Sequence, residues 1–321
     1  MYRPLDKTEP FVGGSDMNTT STPTASAVPL AQRISTAMLH NSGLFLRRAA
    51  KEIVGHGDND EAFDVDRATV VTVLIQVAVE LASTAMVLRN EGLPGLVSPK
   101  NLPATEAEAE AAWQAGAIRT MIFDQIKPKA AKYLGDEGFW LTIDYLQLNR
   151  NKLVHFHAPL HEGDRFDLKY EAIDVLIQVI AALRGTDEYD FAYGSEAFLG
   201  KKLFKRILSF EPYRVGIEAR AREIEALPLK CPICAIRSYS RDGEVCIGCG
   251  WAGELNLLKC LKCDERAVIF DNLNLPLNPW LKAVCGNCDW EGRAHHCSDC
   301  GIDYLTEGHA WPECPWVEDH A

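Results

Sequence analysis

The sequence predicts a multi-domain protein: an all-α helical bundle followed by small zinc-ribbon modules built on β-knuckles. Two observations carry this. Apolar residues recur at helical spacing from about residue 31 to residue 185, with almost no strand signal. All 11 cysteines lie at or beyond Cys231, and ten of them fall into five Cys-x-x-Cys pairs. A length of 321 residues allows about two domains. The expected divisions are a disordered tail over 1–30, a helical domain over 31–185, a basic helical connector over 186–228 and a zinc-ribbon array over 229–317.

Residues 1–30 are rich in Thr, Ser, Pro and Gly and poor in large apolar residues, so burial cannot offset the entropy of ordering them. From Ala31 to Ile53, Ile34, Met38, Leu39, Leu46, Ala49 and Ile53 trace one helix, which the Gly55-His56-Gly57-Asp58 cluster ends. Asp66 is the expected cap of a long helix from Arg67 to Arg89, stopped by Glu91-Gly92-Leu93-Pro94-Gly95. Its run from Val70 to Leu88 is long enough to raise the question of a membrane span. Gln76 and Glu80 sit near the middle, and an acid at a bilayer centre costs about 2.5–3.5 kcal/mol on insertion scales. A buried core helix, with no membrane contact, is the expectation.

Thr105 and Glu108 form a capping-box pattern for a helix expected to run through Trp113, Ile118 and Ile122 to Lys127, with Pro128 as a break. A helix over Phe139–Phe156 follows, ending before Pro159, and another over Arg165–Arg184 ends at Gly185. The connector is locally basic. Between residues 200 and 222, Lys201, Lys202, Lys205, Arg206, Arg214, Arg220 and Arg222 face only Glu211 and Glu218. Lys201/Lys205 and Lys202/Arg206 are helix neighbours, which suits either a phosphate-contacting face or a solvated face opposite Leu199, Leu203, Phe204 and Leu208.

The first two cysteine couples are Cys231/Cys234 with Cys246/Cys249, and Cys260/Cys263 with Cys285/Cys288. Each couple offers four thiolates to a closed tetrahedral zinc site, although interleaved pairing uses the same eight residues. Glycines at or near the knuckles (Gly248, Gly250, Gly286) suit tight turns. A third set, Cys297, Cys300, His309 and Cys314, makes a Cys3His site, with His295 or His296 as competing ligands. About three structural zinc ions per chain follow. With no apolar signal segment near Met1, the clustering fits metal binding in a reducing, cytoplasmic setting better than disulfides. Trp251, Trp290, Tyr304 and Trp316 follow the knuckles and are either ribbon core or base-stacking platforms. The chain carries a net charge of −12, and residues 229–321 hold 14 acids against 8 bases, which argues against wholesale non-specific nucleic-acid binding.

Within the Phe139–Phe156 helix, Leu141, Ile143, Leu146, Leu148, Leu153 and Val154 are interrupted by Arg150, Asn151 and His155, with His157 just beyond. An arginine among such residues needs a partner, and Glu80 or Asp144 would make it an internal ion pair. Arg150-Asn151-x-x-x-His155, late in an all-α domain whose earlier long helix reads Gln76-Val-Ala-Val-Glu80-Leu, resembles the HEPN superfamily (higher eukaryotes and prokaryotes nucleotide-binding domain). The resemblance covers residues 31–185 and leaves the cysteine-rich end outside.

The resemblance implies a metal-independent endoribonuclease in which two protomers pair through the helical domain and place both motifs in one cleft. His155 would move a proton at the ribose 2′-OH or the leaving oxygen. Arg150 would stabilise the phosphate and Asn151 would orient the imidazole or bind phosphate. RNA ends carrying a 2′,3′-cyclic phosphate would result. Helix geometry alone keeps His157 as a rival, since it is seven residues from Arg150. The ribbons would recognise a target or a protein partner, as in toxin or defence nucleases. The other expectation is a non-catalytic dimeric adaptor, RNA- or nucleotide-binding, whose ribbons dock another protein. A zinc-ribbon transcription factor fits the acidic tail less well.

Overall fold

The computed structural model describes residues 28–55, 63–156, 161–186, 195–252, 257–270, 281–296 and 303–306. Two long helices, α1 (Leu30–Val54) and α2 (Val65–Glu91), form the spine. Leu39, Leu46 and Ile53 of α1 meet Val71, Ile75, Ala78 and Ala82 of α2, all fully buried. Inside that seam the Ser42 hydroxyl donates to the Ala78 carbonyl at 2.8 Å. The α2 cap is Asp64 rather than Asp66: its carboxylate accepts from the Arg67 amide at 2.9 Å, and Asp66 falls within the first turn.

α2 is apolar around much of its circumference and is long and apolar enough to cross a bilayer by length and composition. Here α1, α5 (Phe123–Ala130), α6 (Glu137–Phe156) and α7 (Glu162–Ala182) pack around it, as a core helix requires. α7 brings Ile173, Leu176, Ile177 and Ile180 to the same core. A short α3 (Leu93–Leu96) follows α2.

The single helix expected from Thr105 to Lys127 is two. α4 (Glu106–Gln114) opens as expected, with the Thr105 hydroxyl accepting from the Glu108 amide at 3.2 Å. It stops at Gly116, whose φ of +63° is left-handed. The Ala117 amide reaches back to the Ala112 carbonyl at 2.8 Å, a six-to-one closure that ends a helix. Trp113 and Ile122, both expected on that one helix, are exposed. Pro128 lies inside α5, near its end, and does not separate two helices.

Helical structure continues through the basic segment as α8 (Ser195–Leu199), α9 (Lys201–Leu208) and α10 (Glu211–Ile224). Phe198, Phe204, Ile207, Tyr213 and Ile217 turn inward, and Lys201 and Lys205 stay exposed. Arg206 folds under α9 and donates to the Val54 carbonyl at 2.7 Å, capping the C-terminus of α1.

The cysteine-rich end forms two antiparallel sheets. The first has the order β1 (Leu229–Lys230), β2 (Arg237–Ser240), β3 (Val245–Cys246). The second runs in order from β4 (Leu258–Lys259) through β5 (Arg266–Ile269), β6 (Leu281–Cys285) and β7 (Glu291–His296) to β8 (Asp303–Thr306). Its two edge strands approach each other, so the sheet is strongly curved.

A Cβ added at Gly116 meets nothing within 4 Å. Gly116→Ala therefore isolates the backbone cost, and a loss of about 1–2 kcal/mol in denaturant unfolding is expected. A neutral or stabilising result would contradict the left-handed closure of α4.

Candidate metal centres and the Arg150 motif

The sheets resolve the pairing that spacing left open: the couples are sequential. Cys231, Cys234, Cys246 and Cys249 gather at one site, and Cys260, Cys263, Cys285 and Cys288 at a second. Neither group contains a disulfide. Sulfur separations of 3.7 Å (Cys231–Cys249), 3.6 Å (Cys234–Cys246), 3.6 Å (Cys260–Cys288) and 3.7 Å (Cys263–Cys285) suit a tetrahedral ion. Bonds of about 2.3 Å from zinc to sulfur put the ligand atoms about 3.8 Å apart. The donor set therefore fits a closed structural metal site. The third expected set (Cys297, Cys300, His309, Cys314) lies outside the described residues. Of its competing ligands, His295 is buried, stacked on Tyr304 and within 2.8 Å of the Thr306 hydroxyl.

All four knuckles share one backbone design. The first cysteine amide of each donates to the carbonyl five residues on: Cys231 to Ile236, Cys246 to Trp251, Cys260 to Glu265 and Cys285 to Trp290. The residue after each second cysteine is left-handed: Ala235, Gly250, Asp264 and Asp289, with φ from +59° to +70°. Amides also point at sulfur, from Ile233 to Cys231 (3.4 Å) and from Lys262 to Cys260 (3.4 Å). In the first site burial pushes the Cys231 and Cys249 thiols well up, but hydrogen bonds from Cys231, Cys234, Cys249 and the Ser238 hydroxyl hold Cys246 well below the ordinary value. In the second, the Glu265 backbone lowers Cys263 to about 7, whereas burial pushes Cys285 up to about 12.

The first site is joined to the helices. Its second knuckle, Cys246–Gly250, accepts from the Tyr213 hydroxyl at the Gly248 carbonyl (3.1 Å), from the Ser195 amide at Cys249 (3.3 Å) and from Arg184 at Gly250 (3.1 Å). A Cβ on Gly248 would lie 2.8 Å from the Ser238 hydroxyl oxygen and 3.0 Å from Ile217, and one on Gly250 2.7 Å from the Ala181 Cβ. These glycines therefore serve close packing on α7 and α10, a role that their position near the cysteines did not reveal. The second site docks on the first. Asp289 bridges Lys230 (3.2 Å) and Arg237 (3.1 Å), and Arg237 also donates to the Gly286 carbonyl. Trp251 is buried against Tyr239, with ring centres 5.3 Å apart, and Trp290 is buried, so neither offers a face to a base.

Arg150, Asn151 and His155 lie in the last turns of α6. The helix buries Phe139, Trp140, Ile143, Leu146 and Leu153, and Asp136 caps it by accepting from the Phe139 amide at 2.8 Å. Arg150 is half-buried and donates to the Asn151 side-chain oxygen, at 2.6 Å from Nη2 and 3.2 Å from Nε. The internal ion pair is not formed: Glu80 accepts from Gln76 at 2.7 Å, and Asp144 pairs with Lys127. His155 is exposed, and among the described residues no hydrogen bond joins it to Asn151. His157 lies outside the described residues. Leu141, Tyr145, Leu148 and Val154 leave apolar surface along α6, with Asp164, Asp167 and Glu171 of α7 close enough to act on Tyr145.

No protein-family model matches the chain, and neither a curated protein nor a solved structure does.

Two measurements probe the first centre. Stripping metal from the reduced protein is expected to lower the melting temperature of the helical circular-dichroism signal, because α7, α8 and α10 hold the knuckle; an unchanged melt would mean that the ribbon folds apart. Gly250→Ala combines a left-handed φ with a contact onto Ala181, and a cost of about 2–4 kcal/mol is expected. A cost no larger than that of Gly116→Ala would refute tight packing there.

Proposed function

We propose that the chain is a zinc-stabilised endoribonuclease of HEPN type that cuts RNA without a catalytic metal. The observation that carries this reading is the Arg150–Asn151–His155 group: three polar side chains at one end of an apolar helix, reaching solvent and not spent on an internal ion pair. In the proposed chemistry His155 moves a proton at the 2′-OH or the leaving oxygen. Arg150, released from Asn151 by a phosphate, supplies paired donors to its growing charge. Asn151 is free to orient the imidazole or to take a phosphate oxygen. Two copies would pair through the helical domain to complete the cleft, and the apolar strip of Leu141, Tyr145 and Leu148 on α6 is compatible with that.

Zinc is the ion proposed for the sites, about three per chain in a reducing, cytoplasmic setting, as structural thiolate centres require. The ribbons would then recognise a target or partner.

A second reading is favoured by a specific observation. The acidic flank of α7 beside α6 repels phosphate, and the ribbon tryptophans are buried. Both suit a non-catalytic adaptor whose ribbons dock a protein. Incubating mixed RNA with the metal-loaded protein in EDTA separates the two. Cleavage leaving 2′,3′-cyclic ends, lost in Arg150→Ala and His155→Ala by about 100-fold or more, is expected. His157→Ala should retain activity. Equal background from wild type and His155→Ala across many RNAs would leave the adaptor.

A further inference from the structure

Where the first ribbon meets the helices there is an open cleft of about 310 Å³, independent of the Arg150 motif. Gly135 and Asp136, just before α6, form one wall, and α7 contributes Ile177, Gln178 and Ala181. Arg220 of α10 stands at its edge, and the second knuckle closes the remaining side with Ile247 and Gly250. Small-molecule sites are commonly concave, mostly apolar, and set at such junctions with a few convergent polar groups.

The polar groups here differ in how far they are already committed. Behind the wall lies Asp174, only 2% exposed. One of its carboxylate oxygens accepts from Gln178 at 2.6 Å and Arg220 at 2.9 Å; the other has no hydrogen-bond partner. Arg220 thus neutralises one acid. Asp136 remains, with one oxygen on the Phe139 amide and the second uncommitted among the described residues. The side-chain carbonyl of Gln178 is a further open acceptor, since only its amide nitrogen is engaged. Glu171 is near enough to act on the same pair. Burial raises the Asp174 carboxyl despite Arg220, as expected of a carboxylate short of donors. The cleft therefore combines apolar walls with two open acceptors, the exposed Asp136 carboxylate and the Gln178 carbonyl.

We propose that this cleft binds a small organic amine, its apolar body against Ile177, Ala181 and Ile247 and its ammonium on Asp136 and the Gln178 carbonyl. The ligand spans the helices and the metal-ordered knuckle, so its affinity depends on the first metal centre being filled. Each would stabilise the other, because a ligand that binds only the folded arrangement shifts the balance toward it.

The test uses the full, metal-loaded chain and three probes of similar size: phenethylamine, phenethyl alcohol and phenylacetate. Ligand-observed NMR or calorimetry should show saturable binding of phenethylamine in the millimolar range or tighter. It should exceed phenylacetate by about tenfold or more. Asp136→Asn keeps the helix cap but removes the charge, and should weaken the amine about tenfold while leaving the alcohol unchanged. Removing metal should abolish amine binding. Ala181→Leu, which fills the cleft, should do the same; if that variant does not fold, the probe series and Asp136→Asn still decide. No saturable binding, equal affinity for amine and carboxylate, or indifference to Asp136→Asn would each overturn the proposal.

Discussion

The seam between Cys246–Gly250 and the helices is the constraint on which the architecture rests. Two of the four ligands of the first metal centre lie in this five-residue knuckle. Its carbonyls at Gly248, Cys249 and Gly250 receive Tyr213, Ser195 and Arg184, from three separate parts of the helical body. Tyr213 is fully buried, so its hydroxyl would be costly to leave without that acceptor. A metal bound by these thiols would fix the knuckle, the knuckle holds the last helices, and α9 caps α1 through Arg206. A chain that reads as bundle, linker and ribbons is thus tied together from both ends.

The cysteine spacing made the two four-thiol centres legible, because Cys-x-x-Cys has few geometric uses outside metal binding. Which couples join was not legible, since it depends on strand order rather than spacing. Helix existence was also readable. Errors fell where one residue outweighs a pattern. Gly116 ends the helix that Trp113 and Ile122 were expected to share, and Asp64 takes the cap from Asp66 by lying outside the first turn. The Arg150 motif was visible as polar residues on an apolar helix, but its partner was not. Its guanidinium turns to the adjacent Asn151, which periodicity does not favour as a contact.

The buried Asp174–Arg220 pair escaped sequence reasoning altogether. Its signal was present: an aspartate within the apolar run Ile173 to Ile180, and an arginine in a basic segment that suited either phosphate contact or solvent. Only packing of α10 on α7 shows that the two meet. The basic surplus of residues 200–222 is correspondingly smaller as a surface property. Arg206 and Arg220 are committed inward, while Lys201 and Lys205 remain outside. Any electrostatic reach toward phosphate from this region is shorter than the sequence count implies.

The repeated knuckle backbone has a kinetic consequence. With hydrogen bonding and left-handed closure alike at both centres, the sites differ mainly in what covers them. The first is sealed, with Cys246 and Cys249 fully buried beneath the helices. At the second, Cys263 and Cys288 are partly exposed and Leu261 at the knuckle tip stands in solvent. Oxidants, competing thiols and chelators reach the outer ion by direct attack but the inner one only after the seam opens. An ion held at the outer site would therefore exchange faster than one held at the inner site, and oxidation would reach the outer thiols first.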